Sequence, residues 1–388
     1  MPETFPDNVT YMPNSSEHSS LNGSRDELDL GNDSLYYNVF VYQLYDYEEN
    51  IYIYLWTFLV ILTTVANVLI VAIFVRKSIQ TPTNRILLFI AISDSLTGLV
   101  TLPTYIHVYT REKHGVVNLN ESWCEAFIIS KFYISQAFHT VSIWQTVLLG
   151  FQRFCCVWFP FKTNSWFSAR RTLFAVAVIN IGAFIINSYQ LHNKKADKML
   201  GLCQWKIEDP CVESCIFLWI TLLLVNILPS GLLLVLTILM IHKLFHHTNR
   251  KGSLSEEQSR ERDKQNKKAS IIVVCIAIIF LIPELPFGIF VLMTVIKRHG
   301  GSDILVLREN RIFQFVYEIV LLLSFHANFW VYIIINKRFR DELKSIFLAN
   351  MRIFVPKRIT APVATNEMNH SESYIIKGTH LNEHTTTV

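Results

Sequence analysis

The sequence predicts an all-α membrane protein, a seven-transmembrane helix bundle with a short amphipathic helix after the last span. Three observations carry that prediction. The 388 residues are 51% hydrophobic and only 17% charged, too apolar for a soluble domain of this length. The apolar residues are blocked into seven runs, roughly 52–75, 85–109, 127–158, 172–190, 215–241, 269–296 and 312–335, and a spanning helix needs about 20 such residues. Four N-x-S/T sequons, at Asn8, Asn14, Asn22 and Asn32, crowd ahead of the first run, and a fifth at Asn120 precedes the third. Glycosylation acceptors belong on the extracellular side, which sets the N-terminus outside and the C-terminus inside.

Residues 1–50 read as a polar, disordered extracellular arm with ten acids against one base, Arg25. They contain no apolar h-region of a secretory signal, so the first span is expected to act as its own anchor. Tyrosines and acids interleave at Tyr42, Tyr45, Asp46, Tyr47, Glu48 and Glu49. Such an arm either solvates the entrance or steers a basic ligand toward it. Residues 51–335 form the bundle. Basic residues fill the loops assigned to the inside, among them Lys162, Arg170, Arg171, Lys243, Arg250 and Lys251. Lys194, Lys195 and Lys198 on the other side keep that bias from being clean.

Polar residues inside spans are costly and point to function. Span one carries Asn67, span two Asp94, span three Ser142, and span seven Ser324 and Asn328. Together they either surround a buried cation such as sodium or form a hydrogen-bonded knot that packs helices. Glu284 in span six and Glu318 in span seven are two more carboxylates, each able to meet a cationic ligand or to serve structure. His139 reads as a packed, hydrogen-bonded histidine rather than a metal ligand. Arg153 stands inside the apolar run of span three, which continues through Cys155, Cys156, Val157 and Trp158, and an arginine there either snorkels to the headgroups or needs a partner or a water-filled cavity. Pro229 and Pro286 remove backbone donors in spans five and six and should bend them. Span four, interrupted by Asn180 and Asn187, is the weakest of the seven.

Cys124, Cys203, Cys211 and Cys215 lie in or beside extracellular loops, where disulfides persist. Cys124–Cys203 is the favoured pair and Cys211 the rival partner. Cys155, Cys156 and Cys275 read as free thiols. After span seven, residues 336–349 space Phe339, Leu343, Ile346 and Phe347 at helical steps among bases, as in a helix lying on membrane lipid. Residues 350–388 form a cytoplasmic tail that ends Thr386-Thr387-Val388, suited to strand addition in a PDZ groove.

Together, Asn67, Asp94, Cys124, Arg153, Pro229, Pro286, the Asn328–Tyr332 pair and the helix after span seven resemble a rhodopsin-like (class A) G-protein-coupled receptor over residues 50–350. Three details narrow the likeness: HTVSIW at 139–144, QRF at 152–154, and Glu284-Leu-Pro286 where most of the class has tryptophan before the proline. They are similar to invertebrate neuropeptide receptors for myosuppressin, FMRFamide-like and myoinhibitory (sex) peptides. The resemblance implies a plasma-membrane receptor that binds an amidated peptide of Arg-Phe-NH2 type and activates a heterotrimeric G protein, of inhibitory type. It implies that Glu318 or Glu284 pairs with the peptide's arginine, that Phe138, Trp219 and Phe287 take its phenylalanine, and that Gln152, Arg153 and Tyr332 serve G-protein coupling. Arrestin is a further implied partner.

Departures matter too. Gln152 replaces the acid usual before the arginine, which predicts a looser inactive state and basal activity. Phe329 replaces the proline usual after Asn328. Cys124 lies 29 residues before Arg153, about one turn more than the class norm, which requires a longer span three or a bulge. Ser135 stands where amine receptors carry aspartate, and Leu322 where opsins carry a lysine. A transporter or channel with a polar track through Asp94, Glu284 and Glu318 is the alternative, though no inverted repeat is evident. No nucleotide loop, metal-ligand spacing or nucleophile elbow marks an enzyme or a cofactor, and nothing suggests nucleic acid.

Overall fold

The computed structural model describes residues 35–38, 50–76, 81–111, 121–193, 195–197, 204–207, 219–248, 257–299 and 307–354. The sequons at Asn8, Asn14, Asn22, Asn32 and Asn120, together with Cys203, Cys211, Cys215 and Thr386–Val388, lie outside the described residues.

The described chain is a bundle of spanning helices with one small sheet. Span one is a π-helical turn, Ile51–Trp56, continued by α1 (Thr57–Phe74). Span two starts where Thr81 caps the helix by accepting from the Asn84 amide at 3.2 Å, with Pro82 at the first position. It runs as α2 (Pro82–Leu99) and α3 (Leu102–Arg111). The seam falls just before Pro103, which has no amide to donate, and there the Thr101 hydroxyl donates to the Gly98 carbonyl at 2.9 Å.

Span three is built from α4 (Glu121–Ile128), a π-helical turn (Ile129–Ser135) and α5 (Gln136–Trp158). A bulge, the π-helical turn, thus lies between Cys124 and Arg153. Hydroxyls pin the bulge to span two: Ser130 lies 3.0 Å from the Thr104 hydroxyl, and Ser135 donates to the Thr97 carbonyl at 2.7 Å. α6 (Pro160–Trp166) leads into span four, α7 (Ala169–Asn193). Asn187, read above as a weakness of that span, is buried there and donates to the Thr140 hydroxyl of span three at 3.1 Å.

Span five is a π-helical turn (Leu222–Ile227) followed by α8 (Leu228–Thr248). Span six is α9 (Glu257–His299), which carries Pro283 and Pro286 inside it. Span seven is α10 (Leu307–Ile335), unbroken through Phe329. Six of these spans are long and apolar enough to cross a bilayer on length and composition. Span three falls short of that measure. It carries Lys131, His139, Gln145, Gln152 and Arg153 yet sits centrally, with α5 packed against α2, α7, α8 and α9. A helix surrounded by other helices needs no apolar face for lipid.

Two expectations need correction. Leu35–Asn38, inside the arm read as disordered, forms strand β1, which pairs antiparallel with β3 (Gln204–Ile207), itself paired with β2 (Lys195–Asp197). The helix expected over 336–349 runs as α11, Lys337–Phe354. Its end lies in a separate compact unit that begins at Asp341.

Candidate functional site

Span seven places adjacent side chains into two polar clusters. Nearer the sheet, Glu318 is engaged at both oxygens. Lys131 of span three lies 3.2 Å from Oε1, and the Tyr105 hydroxyl of span two donates to Oε2 at 3.5 Å. The bulge puts Lys131 over aromatic rings, 5.2 Å from the centroid of Tyr105 and 5.7 Å from those of Phe127 and Phe132. Tyr52 stacks on Tyr109 at 4.7 Å and Trp56 meets Tyr105 edge-on at 4.3 Å, so the wall of this region is aromatic.

One residue earlier, Tyr317 turns toward spans three and six. Its hydroxyl donates to Glu284 Oε1 at 3.1 Å and lies 3.0 Å from His139 Nε2, which is itself 3.2 Å from the same carboxylate oxygen. A tyrosine has one proton to give, so with that proton on Glu284 the histidine carries its hydrogen on Nε2. Glu284 is fully buried, and among the described residues its Oε2 and His139 Nδ1 find no partner. Phe287 stacks on Tyr317 with centroids 3.9 Å apart. In this arrangement Glu284 makes an interhelical contact, the structural one of the two roles its sequence position allows. Phe138 packs edge-on against Phe184 at 5.3 Å, and Trp219 is 40% exposed.

Halfway along the bundle, Asp94 is 1% exposed. Ser142 donates to its Oδ1 by a short hydrogen bond, and Asn328 Nδ2 donates to Oδ2 at 3.3 Å. Three of the five expected core residues therefore meet. Ser324 instead donates to the Leu321 carbonyl at 2.7 Å, while the two amide atoms of buried Asn67 have no hydrogen-bond partner among the described residues. A small cavity touches Asn67, Asn328 and Tyr332. A carboxylate, hydroxyls and amide oxygens are the donor set of a hard cation. Asp94 and Ser142 would hold one, with Asn328 and Ser324 turning their oxygens inward. Among the described residues, no group of three or more His, Cys, Asp or Glu is placed to bind a metal.

Toward the other end, Arg153 is 9% exposed and donates through Nη2 to the Thr83 hydroxyl of span two by a short hydrogen bond. It is thus buried with a neutral partner rather than snorkelling. Gln152 is buried, and its Oε1 has no hydrogen-bond partner among the described residues. Tyr332 meets Phe74 edge-on at 5.3 Å and Phe339 at 5.4 Å, which closes this end with rings.

Of the cysteines, Cys124 is disulfide-bonded and Cys155, Cys156 and Cys275 are free. Lys131, Tyr105, Tyr317 and Thr83 were not singled out by sequence. A lysine inside the apolar run of span three was the one signal available for them.

The 7 transmembrane receptor (rhodopsin family) model matches residues 66–329. The chain is 25% identical over 345 residues to the sex peptide receptor of Drosophila melanogaster, covering 82% of this chain and 78% of that one. It is 26% identical over 329 residues to sex peptide receptor-related protein 2 of Caenorhabditis elegans, covering 77% and 72%. It is 24% identical over 305 residues to neuropeptide Y receptor type 2 of Mus musculus, covering 76% and 75%.

Proposed function

The chain belongs to the rhodopsin family of seven-transmembrane receptors, and from that premise we propose that it is a plasma-membrane neuropeptide receptor for an amidated peptide of Arg-Phe-NH2 type. Its N-terminus is outside, and it activates a heterotrimeric G protein of the inhibitory type. The relatives are named for peptides, which supports the ligand class. Family membership weighs against the transporter or channel alternative and against an enzyme. The observation that carries the ligand chemistry is Glu318, a carboxylate ringed by aromatic side chains at the sheet end of the bundle.

A ligand shifts a two-state bundle only through its different affinity for the two states. In this reading the peptide's guanidinium pairs with Glu318 and draws on span seven. Tyr317 is the next residue and holds Glu284 of span six, two positions before Pro286. Movement at Glu318 thus reaches the bend of span six through one hydrogen bond, and span six swings away from Arg153 to admit a G-protein helix. In the same reading the Asp94 cluster takes a sodium ion in the resting state. Cys124 pairs with Cys203, the N-terminal asparagines carry glycans, and arrestin and a PDZ protein engage the tail.

The test is G-protein activation in transfected cells by Arg-Phe-amide peptides and by citrulline-Phe-amide controls. Losing one charge-assisted hydrogen bond is worth roughly 1.5–3 kcal/mol, so Glu318→Gln should weaken the arginine peptide about 10- to 100-fold. The citrulline control should be nearly unmoved. Equal potency of wild type and Glu318→Gln on the arginine peptide would remove the carboxylate from the binding reading.

A further inference from the structure

Glu318 is not an empty acceptor. Its first oxygen faces the Lys131 ammonium at 3.2 Å and its second takes the Tyr105 hydroxyl at 3.5 Å. A ligand cation approaching this carboxylate therefore meets an existing ion pair. We propose that Lys131 is a specificity-determining residue, an internal cation that occupies Glu318 and that only a ligand group with stronger, two-pronged donation displaces. The inference deepens the reading of Glu318 given above and rests on it.

Three features of the fold support it. The bulge that presents Lys131 is anchored on both sides of that residue, by Ser130 to Thr104 and by Ser135 to Thr97. The lysine's position is therefore built rather than incidental. The rings of Tyr105, Phe127 and Phe132 lie 5.2 to 5.7 Å from the ammonium, so a lysine released from Glu318 keeps cation–π contacts and need not leave the site. The chemistry of the exchange also selects its ligand. An ammonium is a point charge with no fixed plane, whereas a guanidinium matches a carboxylate with two parallel donors. A ligand arginine thus outcompetes Lys131, and a ligand lysine, offering the same group, does so poorly. Neutral ligands gain nothing from Glu318.

The experiment uses the full-length receptor in cells at matched surface expression, challenged with three amidated peptides that differ only in carrying Arg, Lys or citrulline before the final Phe-NH2. Lys131→Met keeps the stem over the rings and removes the competitor. It should raise the potency of the Arg peptide about tenfold and that of the Lys peptide more, narrowing the Arg-over-Lys preference, and should leave the citrulline peptide unchanged. Lys131→Arg should restore the competition and depress both cationic peptides. In Lys131→Met/Glu318→Gln the gain should vanish. An Arg peptide active on wild type and equally potent on Lys131→Met overturns the inference while leaving the Glu318 reading intact. A fall in potency for all three peptides also overturns it, since Lys131 would then be touching ligand or supporting the fold. A silent wild type with a responsive Lys131→Met supports it, the ion pair then being strong enough to mask Glu318. Silence of both to every arginine peptide overturns the inference together with the ligand reading.

Discussion

The Tyr317 hydroxyl of span seven lies 3.1 Å from Glu284 Oε1 of span six, inside a cluster that also takes in His139 of span three at 3.0 Å. Three helices thus meet at one oxygen, and the tyrosine that reaches it is stacked on Phe287. Glu284 stands two residues before Pro286, where most of the class has a tryptophan, so a polar contact occupies the place of a large ring. The difference has a physical consequence. A ring resists displacement by bulk, whereas a hydrogen bond is lost over a fraction of an ångström.

Removing that bond should therefore loosen the resting state. Tyr317→Phe keeps the stack on Phe287 and deletes the donor, leaving Glu284 Oε1 with His139 alone. Interhelical hydrogen bonds in membranes average about 0.6 kcal/mol, with larger values where a buried group is stranded. We expect ligand-free nucleotide exchange on the G protein to rise about two- to fivefold over wild type at equal expression. His139→Ala should behave alike. Basal exchange unchanged in both variants would show that the cluster only packs.

Span five shows how a proline is accommodated. Leu228 donates to the Leu223 carbonyl, five residues back, and the next donor in that register would be residue 229, a proline with no amide. The Leu224 carbonyl it would have served accepts instead from the Trp144 indole of span three at 3.0 Å. Trp144→Phe should strand that carbonyl and lower the thermal midpoint of the purified receptor by a few degrees, a loss of about 1–2 kcal/mol. Pro229→Ala returns a backbone donor. In the double variant the Trp144→Phe penalty should shrink by at least half, and a double-mutant cycle in thermal-shift measurements reads that coupling. Strict additivity would mean that the two residues do not serve the same carbonyl.

What was legible in the sequence was what depends on one dimension. The length of an apolar run and the cost of a buried charge located the spans, Asp94, Glu284 and Glu318 without knowledge of packing. Asp94, Ser142 and Asn328 meet as expected because each lies near the middle of its own span, so equal depth was readable from position. Phase was not readable. A π-helical turn between Ile129 and Ser135 shifts which face of span three looks inward, and with it brings Lys131 to Glu318. Ser324 shows the same limit at the scale of one bond, since its hydroxyl is taken by its own helix at Leu321. The Leu35–Asn38 strand depends on pairing with residues about 170 positions away, which no local composition signals.

Close approach of spans one and two rests on Gly98. A Cβ added there would lie 3.1 and 3.2 Å from the two methyls of buried Val60, tighter than ordinary contact. Gly98→Ala should cost about 1–3 kcal/mol through overpacking and reduce surface expression. Val60→Ala alone should also destabilise, by opening a small cavity. The two together should be milder than Gly98→Ala alone, because the removed methyls are those in the way. Thermal stability of the three purified variants checks the order, and a double variant worse than both singles would rule the contact out.

Arg153 and Thr83 supply the last test. The guanidinium is buried beside a residue, Gln152, that offers it no charge, and its one hydrogen bond among the described side chains goes to the Thr83 hydroxyl. A hydroxyl brings no opposite charge to a buried cation, so this bond lacks the ion-pair attraction that a carboxylate partner would add. The arginine is thus held on span two but cheaply released. Gln152→Glu places a carboxylate next to it, so ligand-free G-protein activation should fall to about half the wild-type level or less. Thr83→Ala removes the tether, so basal activation should rise. Thr83→Ser keeps the hydroxyl and should match wild type. If Thr83→Ala and Thr83→Ser signal alike while Gln152→Glu is silent, the neighbouring acid alone governs Arg153, and the Thr83 bond has no part in holding the resting state.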